Sequence, residues 1–344
     1  MNSTSQAAGK LPGARLLDVS AGRGGLDSSA RTVRTYLLGM GVALVPLLLL
    51  HDDNYWINIL TFTYLMAALA SAWNIIGGFG GQFSLAHGVF FGIGAYLTAQ
   101  LYLKEHLSPW LAMPIGAAVV AAVAVLISWP TFRLRGPFFA IATMAFNEVA
   151  AVIANYAEPI TGGAQGILVP FRPGFVNMIF VARWKYTLLM FIFLALTVGV
   201  SVVLRRSRLG YYLQAVREDE DAARAAGVNV LAVKLRGMAI SAALTAIGGT
   251  LFTMYIRFID PPTLFSLPEV GVKFALLSLI GGIGTIWGPL LGAAVLIPLE
   301  NYIRITLGGL PGAHLVILGL LLMLGALFLR RGIAGALASL RRRR

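Results

Sequence analysis

Between Tyr36 and Leu329 the chain is a succession of apolar runs broken by short polar or glycine-rich stretches. Runs of about 18 or more apolar residues are membrane-spanning candidates, because a helix of that length crosses the hydrocarbon core. Helices also satisfy every backbone donor and acceptor internally, which lipid cannot do for them. Only 12% of residues are charged and 58% are hydrophobic, against roughly 25% charged in a soluble domain. The expected fold is an all-α polytopic membrane protein with about ten transmembrane helices. The spans are placed at 36–50, 55–77, 82–103, 109–129, 137–157, 186–204, 237–257, 269–284, 288–304 and 312–329. Gly281, Gly282, Gly284, Gly288 and Pro289 punctuate the 269–304 region. Broken or tilted helices are expected there, tolerated only where protein or a cavity re-satisfies the backbone.

The net charge of +13 follows the ends of apolar runs, as the positive-inside rule requires, so nucleic acid is not expected as a partner. Placing 204–236 in the cytosol puts 20 of the 27 Lys and Arg residues on that side: five in residues 1–35, Arg133 and Arg135, seven in the central loop, and six in the C-terminal tail. Both termini are then cytosolic. The domain plan is a flexible cytosolic tail over 1–35, a transmembrane domain over 36–329 and a basic cytosolic tail over 330–344. A cleavable signal peptide is not expected, since a short charged segment running directly into an apolar core is missing. There is no cysteine and the four histidines are scattered, so no metal or other cofactor is expected.

The longest charged run lies at 204–236, with seven basic residues and four consecutive acids, Glu218 to Asp221. Residues 211–226 are mostly good helix formers, with Gly227 placed to cap the helix C-terminus. Leu213, Val216, Ala223 and Gly227 fall on one face, interrupted by Glu220, and small residues there would let another surface approach. A solvated charged face is the bland alternative.

Glycines at 77, 81, 88 and 92 form small-x-x-x-small pairs that suit helix packing, and Gln82, Ser84 and His87 enter the membrane from the cytosolic side. They either cap and pack or line a pathway. Asn147 and Glu148 lie near the middle of the 137–157 span, where an ionisable group is costly unless paired or facing a cavity. Structural bonding, a translocation path and a proton relay all remain open for them. Glu269 with Lys273 and Glu300 with Arg304 have the favourable acid-then-base i,i+4 order. They read either as interfacial pairs or as docking points for an external protein.

Five stretches carry a family resemblance: GGQFSLAHGVFFGIGAYLTA (80–99), LRGPFFAIATMAFNEVA (134–150), ITGGAQGILVP (160–170), LGYYLQAVREDEDAARAAGVNVLAVKLRGMAISAALTAIGGTL (209–251) and SLIGGIGTIWGPLLGAAVL (278–296). In this order they resemble the LivM-type permeases of branched-chain amino acid ABC importers. DAARAAG, 221–227, matches the coupling-loop pattern E-A-A-x-x-x-G of such permeases with Asp221 for Glu, followed by Ala222 and Ala223. The usual Ile-x-Leu-Pro continuation is missing. The resemblance implies a non-enzymatic permease in a bacterial inner membrane, a second homologous permease of the LivH type, two cytosolic ATPase subunits and a periplasmic binding protein. Substrates of the wider family also include urea, short amides and aromatic acids. No Walker-type phosphate loop is present, so ATP chemistry would belong to other chains. An ion-coupled secondary transporter using Glu148 is the competing class. An intramembrane enzyme has no His-Glu-x-x-His or Gly-x-Ser-x-Gly motif to support it.

Overall fold

The computed structural model describes residues 21–50, 53–306, 316, 319–320 and 332–336. The chain divides into two compact units after Val45. Most of α1, Ala21–Leu49, belongs to the first. Residues 21–35 are helical, and the rest of the tail expected over 1–35 lies outside the described residues. Once an apolar helix has nucleated, each further residue without a proline extends it at little cost.

The second unit is a helical bundle whose boundaries follow local sequence. Asp53 accepts from the backbone N–H of Tyr55 at 2.8 Å and caps α2, Asn54–Asn74, which continues as a π-turn over Ile75–Phe79. After a non-helical stretch come α3, His87–Leu103, then α4, Pro109–Thr131, and α5, Pro137–Tyr156. The last two begin with proline at the first helical position, where its missing N–H costs nothing. A short α6, Glu158–Thr161, leads into β1, Ile167–Leu168.

Helix α7, Arg183–Arg206, returns across the bundle to a hairpin of α8, Arg208–Glu218, and α9, Glu220–Ala225. Asn229 accepts from Ala232 N at 3.0 Å and starts α10, Val230–Ile256. Strand β2, Phe258–Ile259, pairs antiparallel with β1. A four-residue α11, Pro261–Leu264, and a second π-turn, Leu267–Val272, precede α12, Lys273–Gly282. Helix α13, Gly288–Thr306, follows.

Helices α2 and α10 form the centre: α10 packs on α3, α4 and α2, and α2 packs on α7, α12 and α13. The most apolar window of the α2 segment is 89% buried, whereas that of α5 is only 22% buried, so α5 is the peripheral helix of the isolated chain. Six helical stretches among the described residues are long and apolar enough to cross a membrane: Asn54–Phe79, Pro109–Thr131, Pro137–Tyr156, Arg183–Arg206, Val230–Ile256 and Pro261–Gly282. The stretch expected at 82–103 falls short because its helix starts only at His87 and has 17 residues. Helix α13 has 19 residues but carries Glu300 and Arg304. The span expected at 36–50 lies in α1 up to Leu49, and the one at 312–329 lies largely outside the described residues.

The segments between helices gather at two ends. Gly78, Arg135, the α8–α9 hairpin and Thr285 bond to one another or to shared partners at one end. At the other, Trp110 Nε1 donates to Phe175 O at 2.7 Å, Lys104 Nζ to Pro159 O at 3.2 Å and Val169 N to Arg257 O at 2.7 Å.

Candidate functional site

The first end is organised around two glycine-rich helix breaks. One follows α2 and its π-turn; the other joins α12 to α13. Asn74 clasps them: its Oδ1 accepts from Gly284 N at 2.8 Å and its Nδ2 donates to Thr285 O at 2.8 Å. Gly78 is what permits this approach, since a Cβ there would lie 1.9 Å from Asn74 Oδ1 and 2.7 Å from Gly284 N. On the far side of the same junction a Cβ on Gly281 would meet Gly288 O at 1.8 Å, so α12 and α13 touch backbone to backbone.

The α8–α9 hairpin lies on this junction. Arg217 Nη1 donates to Gly78 O at 2.7 Å, and a Cβ on Gly284 would lie 2.3 Å from the same nitrogen. Glu220 pairs with Lys234 Nζ and accepts from Gln82 Nε2 at 3.3 Å. The Lys234 side chain is only 1% exposed and also lies 5.7 Å from the Phe132 ring centroid. A buried ammonium needs both kinds of partner to offset its lost hydration. Arg135 and Asp221 form a two-bonded fork at 3.1 and 3.0 Å on the exposed rim. The Arg135 hydrogen bond and charge hold the Asp221 carboxyl below its ordinary value, and Asp221 raises Arg135 in return.

The single helix expected over 211–226 is two helices. Asp219 leaves the helical region (φ −159°, ψ 114°) and its carboxylate accepts from Asp221 N and Ala222 N at 2.8 and 2.9 Å. The acidic run that reads as one solvated patch is thus partly a cap, with Glu220 and Asp221 in the first turn where the helix dipole favours them. Gly227 ends α9 as expected. Its φ is 85°, its N–H reaches Arg224 O and Val228 N–H reaches Ala223 O at 3.0 Å, a Schellman closure.

The face assigned to partner docking needs correction. Leu213, Val216 and Ala223 are buried in a cluster with Ile75, Phe79, Leu204, Val230, Val233 and Leu244. An amphipathic hairpin beside its own bundle buries its apolar stripe there first. Outside that stripe, Tyr211, Tyr212, Glu218, Asp219, Asp221, Ala222, Arg224, Ala225, Ala226 and Gly227 are exposed.

The remaining predicted residues separate. Gln82 and Ser84 are buried in the non-helical stretch before α3, not within a helix, and Ser84 O accepts from Trp73 Nε1 at 2.7 Å. His87 Nε2 lies 2.8 Å from Ser241 Oγ, whose hydroxyl donates to Ala72 O at 2.7 Å. Gly81 also falls in the break (φ 67°), so Gly77 and Gly81 do not form one helix face; a Cβ on Gly77 would strike the Trp73 ring. Gly88 and Gly92 do act in packing. A Cβ on Gly88 would lie 2.3 Å from Asn147 Oδ1, and one on Gly92 would lie 2.5 Å from the Phe265 ring. Asn147 Nδ2 donates to Phe265 O at 2.7 Å and ties α5 to the turn after α11. Glu148, its neighbour, points outward from α5 and is exposed.

The two i,i+4 pairs merge. Lys273 Nζ lies 2.9 Å from both Glu269 Oε2 and Glu300 Oε2, and Arg304 Nη2 lies 3.2 Å from Glu300 Oε1. With side-chain exposures of 16% and 7%, Lys273 and Glu300 are not surface groups, which leaves only Glu269 and Arg304 to meet an external protein.

Arg217 is a site residue that sequence reasoning counted only among the basic residues of the loop. A usable signal existed for Arg217: it stands one turn after Leu213 and beside Val216, on the inward side of the hairpin.

These features define a multi-pass α-helical membrane protein with a charged interhelical hairpin seated on paired helix breaks. Residues 55–326 match the family described as the permease component of branched-chain amino acid transport systems, and the chain belongs to that family. It is 31% identical over 284 residues to the high-affinity branched-chain amino acid transport permease LivM of Escherichia coli, covering 74% of this chain and 66% of that protein. A probable LivM of Methanocaldococcus jannaschii is 27% identical over 59% of this chain and 63% of its own length. The E. coli permease LivH is 25% identical over 67% of this chain and 79% of its own. The chain thus matches a little under two thirds of the length of these LivM proteins. No solved structure matches it.

Proposed function

We propose that this chain is a membrane-spanning permease subunit of an ABC importer. It would translocate branched-chain amino acids delivered by a periplasmic binding protein across a bacterial inner membrane. ATP is hydrolysed in two separate cytosolic subunits, and a second, homologous permease of the LivH type completes the pathway. Both termini and the α8–α9 hairpin face the cytosol, and about ten helices cross the membrane, as the positive charge on that side favours.

The observation that carries this reading is the two-sided hairpin. Its inner side is fixed by Arg217 on Gly78 and by Glu220 on Lys234 and Gln82. Its outer side presents small, aromatic and charged residues around the DAARAAG segment. A subunit shifts a conformational equilibrium only through contacts that differ between states. A movement imposed on the outer side reaches both glycine-rich breaks through Arg217. In this reading Gln82, Ser84 and His87 hold the first break in place, and Glu148 faces either the second permease or lipid.

The test is uptake of labelled leucine into proteoliposomes holding the chain with its co-purifying partners, the binding protein outside and ATP sealed within. Uptake is expected to require enclosed ATP. Uptake that survives ATP depletion and collapses with an uncoupler would replace this reading with an ion-coupled transporter.

A further inference from the structure

The charged network at the α12–α13 face borders a cavity of about 320 Å³. This volume is at the small end of the range for small-molecule sites. Phe62, Met66, Phe91, Phe252 and Ile297 supply an apolar wall, and Glu269, Lys273, Glu300 and Arg304 line the same space. The four charged groups run in alternating order: carboxylate, ammonium, carboxylate, guanidinium. The π-turn over Leu267–Val272 places Glu269 at one end of this line, with Ser266 Oγ accepting from Glu269 N at 3.3 Å. Such turns occur disproportionately at functional sites. The outer members, Glu269 and Arg304, are about half exposed, while Lys273 and Glu300 sit deeper.

We infer that this cavity is a transit site for a zwitterionic amino acid with an apolar side chain, its carboxylate against Lys273 and Arg304, its ammonium against Glu269 and Glu300, and its side chain against the aromatic wall. The site rests on the transport reading above and gives its substrate a place in the chain. A net-neutral, alternating line has no preference for a bare anion or cation. It matches a ligand that carries both charges on adjacent groups. A ligand carrying only one charge meets like charge as well as opposite charge along this already paired line, with no second group to offset the repulsion. The aromatic and aliphatic wall favours branched hydrocarbon over polar side chains in the same way.

The test uses a diazirine analogue of leucine on the assembled transporter in proteoliposomes, with adducts mapped by mass spectrometry. Adducts are expected on the wall residues, reduced at least tenfold by excess leucine. Neither 4-methylpentanoate, which lacks the amine, nor isoamylamine, which lacks the carboxylate, should compete. Lys273→Met should lower the labelling at least tenfold. Phe252→Trp, which fills the cavity and leaves every charge in place, should do the same, with both variants still co-purifying with the ATPase. Where the wild-type preparation takes up leucine with ATP, adducts elsewhere, or undiminished adducts in either variant, overturn the site and leave the transport reading standing. A wild-type preparation that takes up no branched-chain amino acid overturns that reading and the site with it.

Discussion

Arg217 Nη1 donates to the carbonyl of Gly78 at 2.7 Å, joining residues 139 positions apart in the chain. The helix that carries Arg217 lies outside the bundle's centre, and the carbonyl that it holds is the last turn of the most buried helix. A charge-assisted bond to a backbone carbonyl is stronger than a neutral one. It ties the hairpin to the break behind α2.

Arg217→Met keeps most of the side-chain volume and removes the donor. ATP-driven uptake is expected to fall at least tenfold while the ATPase still co-purifies and still hydrolyses ATP. Loss of co-purification instead would show that Arg217 serves docking rather than transmission.

The two sides of the hairpin should respond differently to substitution. Leu213→Ala and Val216→Ala remove buried methyl groups and should cost about 1–4 kcal/mol of stability, read as a lower melting temperature. Ala222→Trp and Ala225→Trp, on exposed positions, should leave the melting temperature unchanged and abolish co-purification with the ATPase. Gly227→Leu should do both to a lesser degree, because a branched residue in the left-handed region costs about 1–2 kcal/mol. Tryptophan variants that co-purify at wild-type yield would remove the outward face from the docking model.

Gly88 and Asn147 are predicted to be coupled. Gly88→Ala drives a methyl group onto Asn147 Oδ1 and should destabilise the chain. Asn147→Ala leaves Phe265 O without its donor, a loss of about 1–3 kcal/mol. The double variant should be more stable than the sum of the two single effects, because the second change relieves the first clash. Strict additivity in a melting or denaturation series would argue against this contact.

The Arg135–Asp221 fork gives a pH signature of definite sign. A carboxyl whose folded value is depressed contributes stability that is fully present above its unfolded value, about 3.9. That contribution disappears as the pH falls through the lower folded value. Asp221→Asn should therefore differ from wild type in melting temperature at pH 7 and low salt. The difference should shrink below about pH 4 and in high salt, since both groups are exposed and screened. A difference that grows on acidification would contradict the assignment.

Much of this was legible beforehand because it is encoded locally. The apolar runs gave most helix positions, Pro109 and Pro137 marked two starts, and Gly227 marked a stop. Basic-residue counting grouped Arg133 and Arg135 with 204–236 on one side, and Arg135 and the hairpin do meet at one end of the bundle. What was not legible depends on contacts between distant segments. Periodicity shows that Leu213, Val216 and Ala223 share a face, but not whether their own bundle or another protein covers it. Nor does an i,i+4 pair disclose that Lys273 will also find Glu300, 27 residues away. Gly77 and Gly81 satisfy a helix-packing spacing, yet the helical segment ends at Phe79, before the second of them.

The clasp between Asn74 and Thr285 also sets a timetable. The two residues are 211 positions apart, and at about 5–20 residues per second a ribosome needs roughly 10–40 s to add the second after the first. Throughout that interval α2, the core of the finished bundle, must wait with a polar amide at its end and no native partner for it. The helix made early is completed only by the helix made late, so a chain stopped before residue 284 keeps its central span but not the junction that closes around it.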